Sequence, residues 1–191
     1  MSLILASASP RRKELLGLFR IPFEIRVADI DEAMDPQKPA CDEVARVSRL
    51  KALAVPREAG DTVIAADTIV VCNGNVLGKP HSKEEAVQML QLLSDRDHQV
   101  MTGVTVLRGD ESRTFTEVTD LHFRSLSGQE IEDYVATGEP MDKAGSYGIQ
   151  GGAALFCDRM VGDYYNVMGL PVCRLGEVLR ELTPEGQGVF L

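Results

Sequence analysis

Apolar residues fall along this chain in short runs and in stripes at helical spacing. The two patterns alternate from end to end. Residues 3–5, Leu-Ile-Leu, predict a short buried strand. Ser9 is a good helix N-cap and Pro10 suits the first helical position, so a helix is predicted from there, with its apolar periodicity starting at Leu15. Residues 23–27 alternate and predict a second strand. Pro36 and Pro39 keep the following segment irregular, and Asp42 is the expected cap of a helix whose apolar face is Val44, Ala45, Val47, Leu50 and Leu53. Residues 62–71 form an almost unbroken β-prone run, the pattern of a central strand. Asn73-Gly74-Asn75 predicts a hairpin turn. Ser82 with Glu85, and Ser127 with Glu130, predict two capping boxes; the first helix ends near Leu93 and the second at Gly138. Between them, residues 100–108 and 112–124 predict a long antiparallel hairpin turned at Gly109-Asp110. A short strand over 153–156, a last helix over 172–182 and an irregular tail after Pro184 complete the expectation. A chain of 191 residues fits one domain, with room for two lobes.

Several polar residues break this pattern. Asp67 interrupts the apolar run 62–71, and a carboxylate there is costly unless it is paired or bound to a cation. The first helix start combines free amides with Ser7, Ser9, Arg11 and Arg12, which makes a candidate anion site. Taken alone, that segment is equally compatible with an ordinary capped surface helix. Glu32 closes the acidic stretch 29–32, Lys51 lies near the end of its helix, and Lys79 stands in Gly78-Lys79-Pro80. Residues 138–152 interleave five glycines with Glu139, Asp142, Lys143, Tyr147 and Gln150. Glycines allow close backbone approach to a ligand.

Composition then narrows the chemistry. A net charge of −9 argues against binding nucleic acid along the surface, though not against a local basic pocket. Cys41, Cys72, Cys157 and Cys173 are far apart with no Cys-x-x-Cys pair, which predicts reduced thiols in a cytosolic protein. His81, His98 and His122 are scattered, so no His-rich metal site is expected. No secretory pattern and no apolar stretch of membrane-spanning length is found. Glu32 and Asp67, with neither histidine nor thiolate, favour a hard cation such as Mg²⁺ or Mn²⁺. A divalent ion, lysines and arginines around phosphates, and an activated water are what phosphoryl chemistry needs. Neither Gly-x-x-x-x-Gly-Lys-Ser/Thr nor a Gly-x-Gly-x-x-Gly after a strand occurs. From residues alone, the reading reaches a metal-dependent enzyme acting on a small phosphate ester.

Longer motifs carry a resemblance. Ser-x-Ser-Pro-Arg-Arg-x-Glu-Leu-Leu at 7–16, Ala-Asp-Thr-Ile-Val at 66–70, Gly-Lys-Pro at 78–80, Asp-Lys-Ala-Gly-x-Tyr-Gly-Ile-Gln-Gly at 142–151 and Gly-Leu-Pro at 169–171 stand in the order found in the Maf family, which this chain resembles over nearly its whole length. The resemblance implies an inosine-triphosphatase-like α/β fold. That fold has a long mixed β-sheet with flanking helices, and two lobes around a cleft, within a single domain over residues 1–191. It implies hydrolysis of a nucleoside triphosphate to the monophosphate and pyrophosphate, with Asp67 accepting a proton from water and a divalent cation (Mg, Mn or Co) near Glu32 and Asp67. Ser7, Ser9, Arg12, Lys51, Lys79 and Lys143 are the expected phosphate ligands. A dTTP- and UTP-preferring subgroup carries Arg, Thr and Gln at its specificity positions, matched here by Arg11, Thr68 and Gln150. A sister subgroup that prefers 7-methyl-GTP carries an aromatic residue, Gln and Glu there. The resemblance further implies a cytoplasmic homodimer with no nucleic-acid or membrane partner. A non-catalytic nucleotide-binding regulator of septum formation, and a 7-methyl-GTP pyrophosphatase, are the alternatives.

Overall fold

The computed structural model describes residues 2–27 and 29–182, and the tail expected after Pro184 lies outside the described residues. Leu3–Leu5 is β1, Pro10–Gly17 is α1 and Phe23–Ile25 is β2. Ala40–Ala54 forms α2, Thr62–Cys72 β3 and Asn75–Leu77 β4. Lys83–Leu93 is α3, Arg96–Arg108 β5, Glu111–Phe123 β6 and Gly128–Ala136 α4. Cys157–Val161 is β7, Tyr164–Met168 α5 and Val172–Leu182 α6. The sheet is mixed and runs β2-β1-β3-β5-β6-β7, with β4 paired to β3. β1 is parallel to β2 and β3, whereas β4 is antiparallel to β3 and β7 to β6. The mixed α/β class implied by the resemblance is the class observed. No helix of the described residues is long and apolar enough to cross a membrane.

The chain divides into two compact units. One holds residues up to 67, 102–117 and those from 169 on; the other holds 68–101 and 118–168. In the first, Ile4, Ala6, Ala52, Val55, Val63, Ala65 and Leu107 form a buried apolar cluster. Large aliphatic side chains buried in this way contribute roughly 1.5–3 kcal/mol each. α2 lies hard against β5: a Cβ on Gly103 would sit 2.4 Å from the Val44 carbonyl oxygen, so only glycine fits there. Ser48 Oγ and Thr105 Oγ1, 2.8 Å apart, tie the same helix and strand. In the second unit, Phe123 packs edge-to-face on His98 and Tyr147, each with centroids 4.8 Å away, and Phe156 packs on Tyr134 at 5.1 Å. These rings support the glycine-rich stretch 138–152.

Local chemistry explains where the expected elements and the observed ones part. Asn73 (φ 52°) and Gly74 (φ 77°) are both left-handed, as a two-residue type I′ hairpin turn requires. The Ser127–Glu130 capping box is complete. That of Ser82 is half-made: its hydroxyl accepts the Glu85 amide, but the Glu85 carboxylate accepts the His81 N–H at 2.7 Å instead. α2 starts before Asp42, with Pro39 at the cap position; Asp42 lies inside the first turn, where its charge favours the helix dipole. Residues 153–156 are not a strand. Gly152–Leu155 is a 3-10 turn, held by hydrogen bonds from Ala154 N–H to Gly151 O and from Phe156 N–H to Ala153 O. Ala153 and Phe156 are buried while Leu155 is 75% exposed, a period of three rather than two.

Candidate active site

The first unit assembles its polar residues at the carboxyl end of β1. Leu5 pairs with Ile64 of β3, and Ala6 N–H donates to the Ile64 carbonyl at 2.8 Å. Ser7 therefore leaves the sheet beside the strand that carries Asp67 three residues further on. Ser7 Oγ accepts the Ser9 N–H at 3.2 Å, and Ser9 Oγ accepts the Arg12 N–H at 3.4 Å, which caps α1. Pro10 occupies the first helical turn as expected. Arg12 turns back over this cap. Its Nε donates to the Gly169 carbonyl at 2.8 Å and its Nη1 to Ser7 Oγ at 3.4 Å. Burial lowers the pKa of the Arg12 guanidinium; Asp67 opposes that shift, Arg11 adds to it and Glu32 opposes it. The guanidinium thus lies in the field of both carboxylates.

Those carboxylates are joined by one ammonium. Lys51 Nζ, near the end of α2, donates to Asp67 Oδ1 at 2.7 Å and to Glu32 Oε2 at 2.8 Å. The side chains of Lys51 and Asp67 are 14% and 11% exposed, that of Glu32 56%. The partner that a carboxylate in the β3 run demands is therefore Lys51. Glu32 is held through the loop that follows it. Arg46 Nη2 donates to the Ala33 carbonyl at 2.6 Å, and the buried Glu43 accepts the Asp35 N–H at 2.8 Å. Arg46 grips the same Glu43 carboxylate through Nε and Nη2. That grip, with the Asp35 amide, holds the Glu43 pKa down to about 2.

Thr68, Lys79, Lys143 and Gln150 belong to the second unit. Thr68 follows Asp67 on β3 and is half-buried; Lys79 is exposed in the loop after β4. The Gly145 N–H donates to the Gly78 carbonyl at 3.0 Å, which fastens the Lys79 loop to the glycine-rich stretch. Lys143 turns inward: Nζ donates to the Glu139 carbonyl at 2.5 Å and to Asp142 Oδ1 at 2.7 Å. Gln150 is exposed.

The Gly169 carbonyl, the Glu43–Arg46 pair, Tyr134 and Glu139 are structural partners that sequence reading passes over. Glu43 and Arg46 read as the solvated face of a helix, and Tyr134 reads as part of an apolar face. Glu139 reads as one acidic residue in a glycine-rich stretch, and nothing in the spacing marks it.

Phosphorylated small molecules are what such a helix start and such a carboxylate–lysine arrangement handle, on a mixed α/β sheet. The chain belongs to the Maf family: the model described as Maf-like protein matches residues 2–182. A dTTP/UTP pyrophosphatase of Alkaliphilus metalliredigens is 48% identical over 183 residues, covering 94% of this chain and 95% of that protein. A dTTP/UTP pyrophosphatase of Bacillus anthracis is 48% identical over 180 residues, 94% of each chain. A HAM1 protein from Coxiella burnetii shares the fold, with a TM-score of 0.50 and 16% identity over 95% of this chain and 99% of that one.

Proposed function

We propose that the protein hydrolyses nucleoside triphosphates, dTTP and UTP foremost, to the monophosphate and pyrophosphate. One observation carries the reading: Asp67 is buried and ion-paired to Lys51, whose ammonium also pairs with Glu32, and it lies in the field of Arg12 at the capped start of α1. In this reading Ser7, Ser9 and the first amides of α1 receive phosphate oxygens, with Arg12, Lys51 and Lys79 offsetting their charge. Asp67 takes the proton from the attacking water. Lys143, already bonded to Glu139 and Asp142, orders the glycine-rich stretch as well as adding positive charge. Arg11, Thr68 and Gln150 read the base; an amide can donate and accept at once, as the edge of uracil or thymine requires.

Two carboxylates meeting at one ammonium support a divalent cation as part of the same reading. Among the described residues no group of three or more His, Cys, Asp or Glu side chains could hold an ion. Two carboxylates with the remaining positions filled by phosphate oxygens and water is the usual Mg²⁺ arrangement. Glu32 and Asp67 would hold the ion, and when bound it neutralises triphosphate charge and acidifies a water. Lys51, which now joins both carboxylates, would then be freed towards phosphate. A cytoplasmic homodimer is part of the same reading, by family resemblance.

A panel of dTTP, UTP, dCTP, dGTP and 7-methyl-GTP, each with Mg²⁺, Mn²⁺ or Co²⁺, tests it. Pyrophosphate is expected, with kcat/KM highest for dTTP and UTP. Highest turnover of 7-methyl-GTP would contradict the base assignment, and dependence on no divalent ion would contradict the metal assignment.

A further inference from the structure

Gln150 lies in a turn whose two flanks end on one side chain. The Gly151 N–H donates to the Gly148 carbonyl at 3.0 Å, which closes a tight turn with Gln150 exposed at its apex. On one flank, the Gly152 N–H donates to Glu139 Oε2 at 3.1 Å. On the other, the Gly148 N–H donates to the Tyr134 hydroxyl oxygen at 3.0 Å, and that hydroxyl donates to Glu139 Oε1 at 2.9 Å. Gly151 is explained by the same carboxylate, and Gly148 by the neighbouring Lys143 side chain. A Cβ on Gly151 would lie 2.0 Å from Glu139 Oε1, and one on Gly148 would lie 2.8 Å from Lys143 Cε. Tyr134 is itself fixed, 6% exposed on α4 with its ring against Phe156.

We infer that Glu139 and Tyr134 are positioning residues for base selection: the Glu139 carboxylate is the template on which the 148–152 turn is folded, and it sets where Gln150 meets the base. The inference rests on the assignment of Gln150 as a base-reading residue. A carboxylate that holds one flank of a residue directly and the other through a tyrosine hydroxyl fixes that residue's backbone more tightly than the turn's single internal hydrogen bond does. Nothing else in the second unit needs a half-buried carboxylate here, because Lys143 bonds the Glu139 carbonyl and not its side chain.

The test is a double-mutant cycle between Tyr134→Phe and Gln150→Ala, read as KM and kcat for UTP and for dGTP. Tyr134→Phe keeps the ring and removes only the hydroxyl. It should raise KM for UTP about 10-fold with kcat changed less than about twofold, and lower the preference for UTP over dGTP. In the Gln150→Ala background the same substitution should change KM less than about twofold. Glu139→Gln, which cannot serve the Tyr134 hydroxyl and the Gly152 amide equally well, should behave in the same way and is the second variant if the first folds poorly. A full penalty in the Gln150→Ala background, or an unmoved UTP preference, overturns the positioning role. Absence of wild-type pyrophosphate release from UTP is a separate outcome: it overturns the functional reading, and this role with it.

Discussion

Asp67 is the residue on which the proposed chemistry turns. A carboxylate at the middle of an apolar strand is retained only with a strong partner, and Lys51 at 2.7 Å supplies it. Glu32 lies on the other side of the same ammonium, 2.8 Å from Lys51 Nζ. Asp67→Asn keeps the shape and an oxygen for Lys51 but removes the proposed base. It should lower kcat about 10³-fold, while thermal unfolding shifts by only a few degrees. Steady-state kinetics and a melting curve on the same preparation check this; wild-type kcat in the variant would refute the role of Asp67. Asp67 stands out in the sequence because it violates the pattern around it. Glu139 does not, because a glutamate among glycines and a proline violates nothing. Its function as a template exists only once the turn 148–152 is folded over it.

At the scale of elements, the glycine-rich stretch is ordered by buried groups of its own unit. His98 Nε2 and the Tyr147 hydroxyl lie 2.9 Å apart, and His98 is 3% exposed. Burial lowers the His98 pKa to about 4, against smaller raising effects from the Arg96 carbonyl and Asp97, while His122 lowers it a little further. The unfolded state, with an ordinary histidine pKa near 6.5, therefore binds a proton that the folded state refuses. The stability due to neutral His98 is present above pH 6.5 and is lost as pH falls towards 4. Between pH 7 and 5 this should cost about 2 kcal/mol, read as a fall in the urea midpoint. His98→Gln should flatten that slope; an equal slope in the variant would contradict it. Below pH 5 the slope steepens for another reason. Glu43 and Glu130, each held down to about 2 mainly by an arginine, stay ionised in the fold while the unfolded chain takes up protons near pH 4.5, so their contribution falls as pH drops towards 2. Most element types were legible from spacing and caps, since helices and the β5–β6 hairpin are written locally. The 3-10 turn at Gly152–Leu155 was not, because a four-residue apolar run does not declare its period until burial shows Ala153 and Phe156 on one face.

For the molecule as a whole, sequence gives the number of strands more readily than their order. β1 lies between β2 and β3, and β3 beside β5, pairings made across long stretches of chain that no local pattern records. The charge distribution follows the same logic. A chain of net charge −9 repels a polyanion at long range, so the proposed function needs locally gathered cations, and Arg11, Arg12 and Lys13 at the α1 start are such a group. The proposed function is defined by the bond that is cleaved, between the α- and β-phosphates. Complete turnover of dTTP by the wild-type protein with Mg²⁺, followed by ³¹P NMR, tests it directly. Cleavage there yields dTMP and pyrophosphate in equal amounts with no dTDP; dTDP accumulating with orthophosphate would refute it.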